Sequence, residues 1–260
     1  MSSSDSETDV APARPVALVT GATSGLGKAF ATELAGRGYD LVLVGRNAER
    51  LADVAGELER NHGALVEQLV ADLEQESSRA RVVARLSQGV TALVNNAGYG
   101  NYEHFWTTDI EVIRAEMAVN ITAVLEFTRA AVPPMLAADN GMIINVASIS
   151  GLYTGPAGTY AAEKAWVIRL SEGLAHQLQS TGVRVQALCP GFMETPFIER
   201  AGIEVDRVPK QLLIGIDEVV KTSLGDIEKG WVVSVPGRRI KFLTMLNRHS
   251  PRRRAWKIGV

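Results

Sequence analysis

The chain has 260 residues, an apolar fraction of 46%, and 27 Lys plus Arg against 29 Asp plus Glu, for a net charge of −2. That length and balance fit a single domain with a substantial core and give no overall reason to expect nucleic acid. The single cysteine, Cys189, excludes an internal disulfide and any cysteine-rich metal site, and fits a reducing, cytoplasmic setting.

Residues 1–14 read as a disordered lead. The stretch MSSSDSETDVAPARP carries acidic residues and lacks the apolar centre of a signal peptide. VALVT, Val16–Thr20, is the first β-rich run, and Gly25–Gly36 follows with helical spacing. LVLV, Leu41–Val44, precedes a charged helix-forming stretch, Ala48–Arg60. Leu65–Val70, Ala92–Val94, Met142–Val146, Val183–Leu188 and Trp231–Val235 complete a set of seven apolar runs. Most are continuous rather than alternating, the pattern of strands covered on both faces. With helices between them, the expected fold is α/β: a single-domain, doubly wound Rossmann fold over residues 15–237, its seven-stranded sheet mostly parallel and covered by helices on both faces. Ligands of such sheets bind beyond the carboxyl ends of the strands, where strand order reverses. No run reaches the roughly 18 apolar residues of a membrane-spanning helix.

TGATSGLG, residues 20–27, lies at such an end and opens the first helix. Gly21, Gly25 and Gly27, with Thr23, Ser24 and Leu26 among them, are spaced G-x-x-x-G-x-G. Glycines there allow a tight turn and close backbone approach, and a helix N-terminus suits a diphosphate. A plain strand-to-helix turn remains an alternative for this loop taken alone. Tyr160 and Lys164 stand one helical turn apart and share a face. An ammonium near a phenol favours the phenolate, which makes the tyrosine a candidate general acid/base. Alone, that spacing is also common by chance.

Four motifs occur in order: TGATSGLG, then LVNNAG at Leu93–Gly98, then INVAS ending at Ser148 with Tyr160-Ala-Ala-Glu-Lys164, then PGFMET at Pro190–Thr195. Together they resemble the short-chain dehydrogenase/reductase family over roughly residues 15–236. The resemblance implies carbonyl reduction or alcohol oxidation with a nicotinamide cofactor. Tyr160 would exchange the proton, Lys164 would tune it and bond the nicotinamide ribose, and Ser148 would orient the carbonyl. Asn120 would hold a water that completes a proton relay. The cofactor would meet Gly21, Thr23, Ser24, Gly25, Leu26 and Gly27 on its diphosphate side. Asp72 and Leu73 would lie near the adenine, and Asn95, Ala97 and Gly98 would line the groove. Tyr160, Lys164, Pro190, Gly191 and Thr195 would complete the site.

Two departures matter. The loop between Ser148 and Tyr160 is one residue shorter than the family's usual spacing, which leaves Ser150 as an alternative to Ser148. Glu163 stands where the family often has Ser or Thr, with no role read for it. At the end of the second run, Arg46 replaces the acidic residue that favours NAD, so NADP(H) is expected, with NAD(H) as the alternative.

The segments around the site supply Tyr99, Tyr102, Phe105, Trp106, Leu152, Tyr153, Phe192, Met193, Phe197 and Ile198. That set suits a hydrophobic ketone or secondary alcohol, although ordinary loop packing reads nearly as well. Residues 194–210 read as a mobile lid. Residues 238–260 carry eight Lys or Arg and no acid, a basic amphipathic tail that would either touch a membrane surface or pack on protein. The helix of Trp166, Val167, Leu170 and Leu174 and the stretch Asn120–Met135 would, by the resemblance, pair in a homodimer or homotetramer. His62, His104, His176 and His249 are scattered, and no metal is expected. Two rival readings stand beside the enzyme: a catalytically silent cofactor-binding sensor or scaffold, and a membrane-surface interaction protein acting through its basic tail.

Overall fold

The structure is a computed structural model that describes residues 14–101, 103–152, 158–193 and 213–248. Its strands are β1 Val16–Thr20, β2 Asp40–Gly45, β3 Val66–Val70, β4 Ala92–Asn95, β5 Gly141–Val146, β6 Val183–Leu188 and β7 Val233–Ser234. They form one sheet in the order β3-β2-β1-β4-β5-β6-β7, and every neighbouring pair is parallel. The chain winds outward from β1 to β3, crosses back, and winds outward again from β4 to β7. The reversal falls between β1 and β4, registered through Ala17–Ala92, Leu18–Leu93 and Val19–Val94.

Between the strands lie α1 Gly25–Gly36, α2 Ala48–His62, α3 Glu76–Leu86, α4 Ile110–Met117, α5 Ala123–Ala137, α6 Gly158–Gln177 and α7 Ile216–Glu228, and α8 Arg238–Arg248 follows β7. The period of two along the strands explains their unbroken hydrophobicity. Ala17 and Val19, Leu41 and Leu43, and Ala92 and Val94 face one core with Phe30 and Leu34 of α1, Leu51 and Leu58 of α2, and Leu224 of α7. Leu18, Val42, Val44, Leu93 and Ile143 face the other, with Val82 and Leu86 of α3 and Phe127 and Met135 of α5. Removing both faces from water stabilises the sheet by roughly 1.5–3 kcal/mol for each fully buried large aliphatic side chain.

Strand β3 departs from the expectation of two covered faces. It is an edge strand with Glu67, Gln68 and Val70 exposed, and Leu65, read as its first residue, lies outside it and 74% exposed. Arg14, assigned from sequence to the disordered lead, is instead tied down. Its guanidinium donates to the carbonyls of Gly38 at 2.9 Å and Gly63 at 2.7 Å and pairs with Asp40. The front of the basic C-terminal segment is α8, which inserts Ile240 into the first core beside Gly191 and Gly237. Lys241 stacks on Trp231, 4.2 Å from its ring centre.

Candidate active site

The glycine loop joins β1 to α1 at the point where strand order reverses. Ser24 precedes α1 in extended conformation and makes no side-chain capping bond. Gly21 and Gly25 hold positive φ, 65° and 53°, which a residue with Cβ adopts only with strain. Gly27 answers a different demand. A Cβ there would fall 2.3 Å from the Gly21 carbonyl oxygen and 2.5 Å from Asn96 Nδ2. The loop and the helix touch through this glycine.

The second asparagine of LVNNAG does what sequence reading did not assign. Asn96 Nδ2 donates to Thr20 O at 2.9 Å and Gly21 O at 3.3 Å. Thr20 Oγ1 accepts from the main-chain N–H of both Asn96 and Ala97. The end of β4 is thereby fastened to the glycine loop. Asn95, expected in the groove, turns its side chain into the sheet. It is 2% exposed, and its Nδ2 donates to Asn145 Oδ1 at 2.8 Å and Thr128 Oγ1 at 3.1 Å. The cause is strand alternation: consecutive residues point to opposite faces, so one of a pair of asparagines must be internal. Asn145 continues to Ser171 of α6, so this buried chain links β4, β5, α5 and α6.

Arg46 follows β2, largely exposed, with Glu74 at 3.8 Å. Asp72 accepts from the Glu74 N–H, while the Leu73 side chain is buried in the second core and its carbonyl accepts from Arg79. Leu73 therefore offers main chain rather than side chain toward any adenine. Pro190 is buried and accepts from the Ile149 N–H, and Gly191 leaves room for Ile240. Thr195, Tyr102, Tyr153, Phe197, Ile198, the lid of residues 194–210 and the last twelve residues lie outside the described residues.

The first turns of α6 carry Tyr160, Glu163 and Lys164, all buried. Lys164 Nζ lies 5.6 Å from the Tyr160 ring centre and donates to Val146 O at the end of β5, at 2.9 Å. Burial pushes its pKa down to about 8, opposed by the charges of Glu163 and, more weakly, Cys189 and Glu116. Ser148 N-caps the short 3-10 turn Ile149–Gly151, its Oγ accepting from Ser150 N at 3.2 Å. Ser150 Oγ is buried with no hydrogen-bond partner. Ser148 stands directly after β5 and Ala147.

Asn120 lies in a π-helical segment, Ala118–Thr122, between α4 and α5. Its Oδ1 accepts from Tyr99 N at 3.2 Å, and its Nδ2 donates to Tyr99 O at 2.7 Å and Glu163 Oε2 at 2.6 Å. Both N–H groups of the amide are engaged within the protein. Gly98 keeps the space before these groups open, since a Cβ there would meet Asn120 Oδ1 at 2.7 Å and Lys164 Nζ at 3.4 Å. Sequence reading also missed Glu116 of α4, which is fully buried and receives Thr159 Oγ1 of α6 at 3.5 Å. The available signal was its position four residues before Asn120, one turn away on the same face.

A model of the short chain dehydrogenase family matches residues 15–204. The chain belongs to that family. It is an oxidoreductase of CH–OH and carbonyl groups that works with a nicotinamide cofactor. Among relatives, it is 34% identical over 233 residues to a very-long-chain 3-oxoacyl-CoA reductase of Anas platyrhynchos, covering 84% of this chain and 75% of that one. A short-chain dehydrogenase from Sphingobium yanoikuyae in complex with NADPH superposes with a TM-score of 0.84 at 32% identity, over 95% of this chain and 96% of that one. A short-chain dehydrogenase/reductase from Burkholderia phymatum in complex with NAD gives 0.77 at 28% identity, over 90% and 92%.

Proposed function

We propose that the protein is an NADP(H)-dependent reductase of hydrophobic ketones, or dehydrogenase of the matching secondary alcohols, with Tyr160 as general acid/base. The observation that carries this is the buried Tyr160–Lys164 pair on α6, next to the crevice where strand order reverses. When bound, the nicotinamide supplies or accepts hydride.

The residues present fit such a cofactor. The uncapped start of α1, the positive-φ Gly21 and Gly25 and the Cβ-free approach of Gly27 make a diphosphate cradle. Thr23, Ser24 and Leu26 line it, and Asp72, Ala97, Gly98, Pro190 and Gly191 extend the groove. Arg46 is exposed and held only by a long contact to Glu74, so it is available to meet a 2′-phosphate. The NADPH of the Sphingobium protein supports this preference, and the NAD of the Burkholderia protein marks the alternative.

Ser148 orients the carbonyl and donates to its oxygen as charge develops. Tyr160 delivers the proton to that oxygen, or removes it in the reverse direction. Lys164 keeps a positive charge beside the phenol ring, and its bond to Val146 O fixes where that charge sits. Asn120 holds the main chain at Tyr99 and the carboxylate of Glu163, and from the π segment it positions the relay water. Phe105 and Trp106 are largely exposed, and Met193 packs against the first core. With the long-acyl relative, they favour an apolar substrate. Leu125 and Met117 are exposed on α5 and α4, a surface suited to pairing with a second copy of this chain. No helix among the described residues is long and apolar enough to cross a membrane.

The test is NADPH oxidation with aryl ketones and 3-oxoacyl thioesters of increasing chain length. Turnover should rise with apolar size, and Tyr160→Phe should abolish it while still binding NADPH. Failure of the wild type to bind either reduced cofactor would sink the reading.

A further inference from the structure

Glu163 has no part in the acid/base scheme above, yet it and Glu116 are two buried carboxyls beside its centre. Glu116 is 0% exposed and Glu163 5%. They come from different elements, α4 and α6, and meet there: Thr159, one turn before Glu163, reaches Glu116, and Asn120, one turn after Glu116, reaches Glu163. Carboxylates only accept hydrogen bonds, so two neighbouring buried carboxyls can satisfy one another only if one of them carries a proton. The remaining donors are few. Asn120 Nδ2 serves Glu163 Oε2 at 2.6 Å, and Thr159 Oγ1 reaches Glu116 Oε2 at 3.5 Å. Glu116 also accepts from the Asn101 main chain. Glu116 Oε1 and Glu163 Oε1 are buried without a hydrogen-bond donor. Two negative charges in that space would be strongly unfavourable, while one charge faces Lys164 on the same turn of α6.

We propose that Glu116 and Glu163 share one proton, and that the single negative charge left on the pair holds Lys164 as an ammonium beside Tyr160. Glu163 is the counter-charge and Glu116 the proton holder. Burial and the Glu163 charge push Glu116 up to about 7, whereas Asn120 and Lys164 oppose the upward push of burial on Glu163. Lys164 also faces Cys189, whose thiol burial pushes up to about 12, so it stays neutral across the working range. Tyr99 faces Glu116 as well, and burial with Glu74 raises it further out of range. As pH rises past neutrality, Glu116 releases its proton and a second negative charge appears near Lys164. That charge delays loss of the lysine's own proton. Both residues are positioning residues, acting on Tyr160 through Lys164.

This deepens the reading of Lys164 and rests on it for its consequence, but the test needs no substrate. In protein carrying 15N,13C-lysine, the Lys164 signal is assigned by its absence in Lys164→Met and followed with pH. In Glu163→Gln, which keeps the shape and an oxygen for Asn120, the Lys164 midpoint should fall by about one unit. In Glu116→Gln it should fall by less. The infrared band of a protonated carboxyl, present in the wild type at mildly acid pH and lost as Glu116 titrates, should be missing from Glu116→Gln. The alkaline limb of turnover should move with the Lys164 midpoint. An unmoved Lys164 midpoint in Glu163→Gln overturns the proposal. So does a wild type without the protonated-carboxyl band, a measurement that stands even if a variant fails to fold. Lack of turnover in the wild type would instead refute the proposed activity, and the lysine titration would still decide this one.

Discussion

Gly27→Ala sets two forces against each other. An interior helical glycine replaced by alanine gains about 1 kcal/mol of helix propensity. At position 27 the new Cβ meets the Gly21 carbonyl oxygen at 2.3 Å, the Gly21 carbonyl carbon at 2.8 Å and Asn96 Nδ2 at 2.5 Å. Two of these three atoms are main chain and cannot swing aside. Forced overpacking costs about 1–3 kcal/mol, and with two main-chain atoms involved the upper part of that range applies, so the contact outweighs the propensity gain and the net loss should be up to about 2 kcal/mol. The strain falls on the loop proposed to hold the diphosphate, so NADPH affinity should drop at least about tenfold, or roughly 1.4 kcal/mol. Gly173→Ala is the matched control. It lies within α6, is exposed, and its Cβ would find nothing within 4 Å. That variant should gain up to about 1 kcal/mol, or roughly 2–4 °C in Tm, and bind NADPH normally. Urea melts and a fluorescence titration of all three proteins make the comparison. A Gly27→Ala protein as stable as Gly173→Ala, with wild-type NADPH affinity, would refute the close-contact argument.

Tyr160→Phe should lower turnover by about 10²–10⁴-fold while leaving NADPH affinity within a few-fold, measured by steady-state rates and titration. Arg46→Ala should weaken NADPH binding several-fold and leave NADH binding unchanged; equal effects on both would remove Arg46 from the cofactor argument. Stability should depend on pH through Glu116. Its carboxyl is pushed up to about 7 from an ordinary 4.5, so the folded state holds a proton that the unfolded chain has released across that window. Its contribution is therefore full below the ordinary value and lost as pH rises through about 7, and urea midpoints of Glu116→Gln should show a shallower decline there than the wild type. Asn96→Ala should loosen the end of β4 from Gly21, costing about 1–3 kcal/mol and NADPH affinity together.

The fold was legible because its signals are redundant. Strands β1, β2 and β4 are mostly apolar on both faces, and each is followed by a glycine or asparagine turn at its carboxyl end. Val16–Thr20 and Val183–Leu188 begin and end where the residue types change. Leu65 escaped because an apolar residue leading into a strand reads alike whether the strand is central or at the edge, and only sheet order distinguishes them. Tyr160 and Lys164 were visible for the opposite reason. They lie on one helix, so four residues of sequence are also one turn in space. Asn95 and Asn96 show the limit of a motif. Which of two adjacent asparagines faces the glycine loop depends on the phase of β4, which four residues of strand do not display.

The carboxyl pair was hidden by topology. Glu116 and Asn120 sit on α4 and the π segment, and Glu163 sits on α6, so more than forty residues of chain separate the partners joined by the 2.6 Å Asn120–Glu163 bond. Seen singly, each glutamate belongs to a helix with ordinary composition. Their burial follows from what lies around them. The main chain at Tyr99 clamps Asn120 from one side, and Lys164 is fastened to β5 on another, so the helices close over a polar interior rather than an apolar one. A buried lysine without a counter-charge would lose its proton near neutrality, because burial is the largest influence on it. The same packing that lowers the lysine raises the carboxyls, so neither shift can be understood from one partner alone. A hydrophobic residue at 163 would leave Asn120 with an unsatisfied N–H and Lys164 without its nearest negative charge. The departure at Glu163 from the family's usual Ser or Thr therefore makes physical sense only together with Glu116.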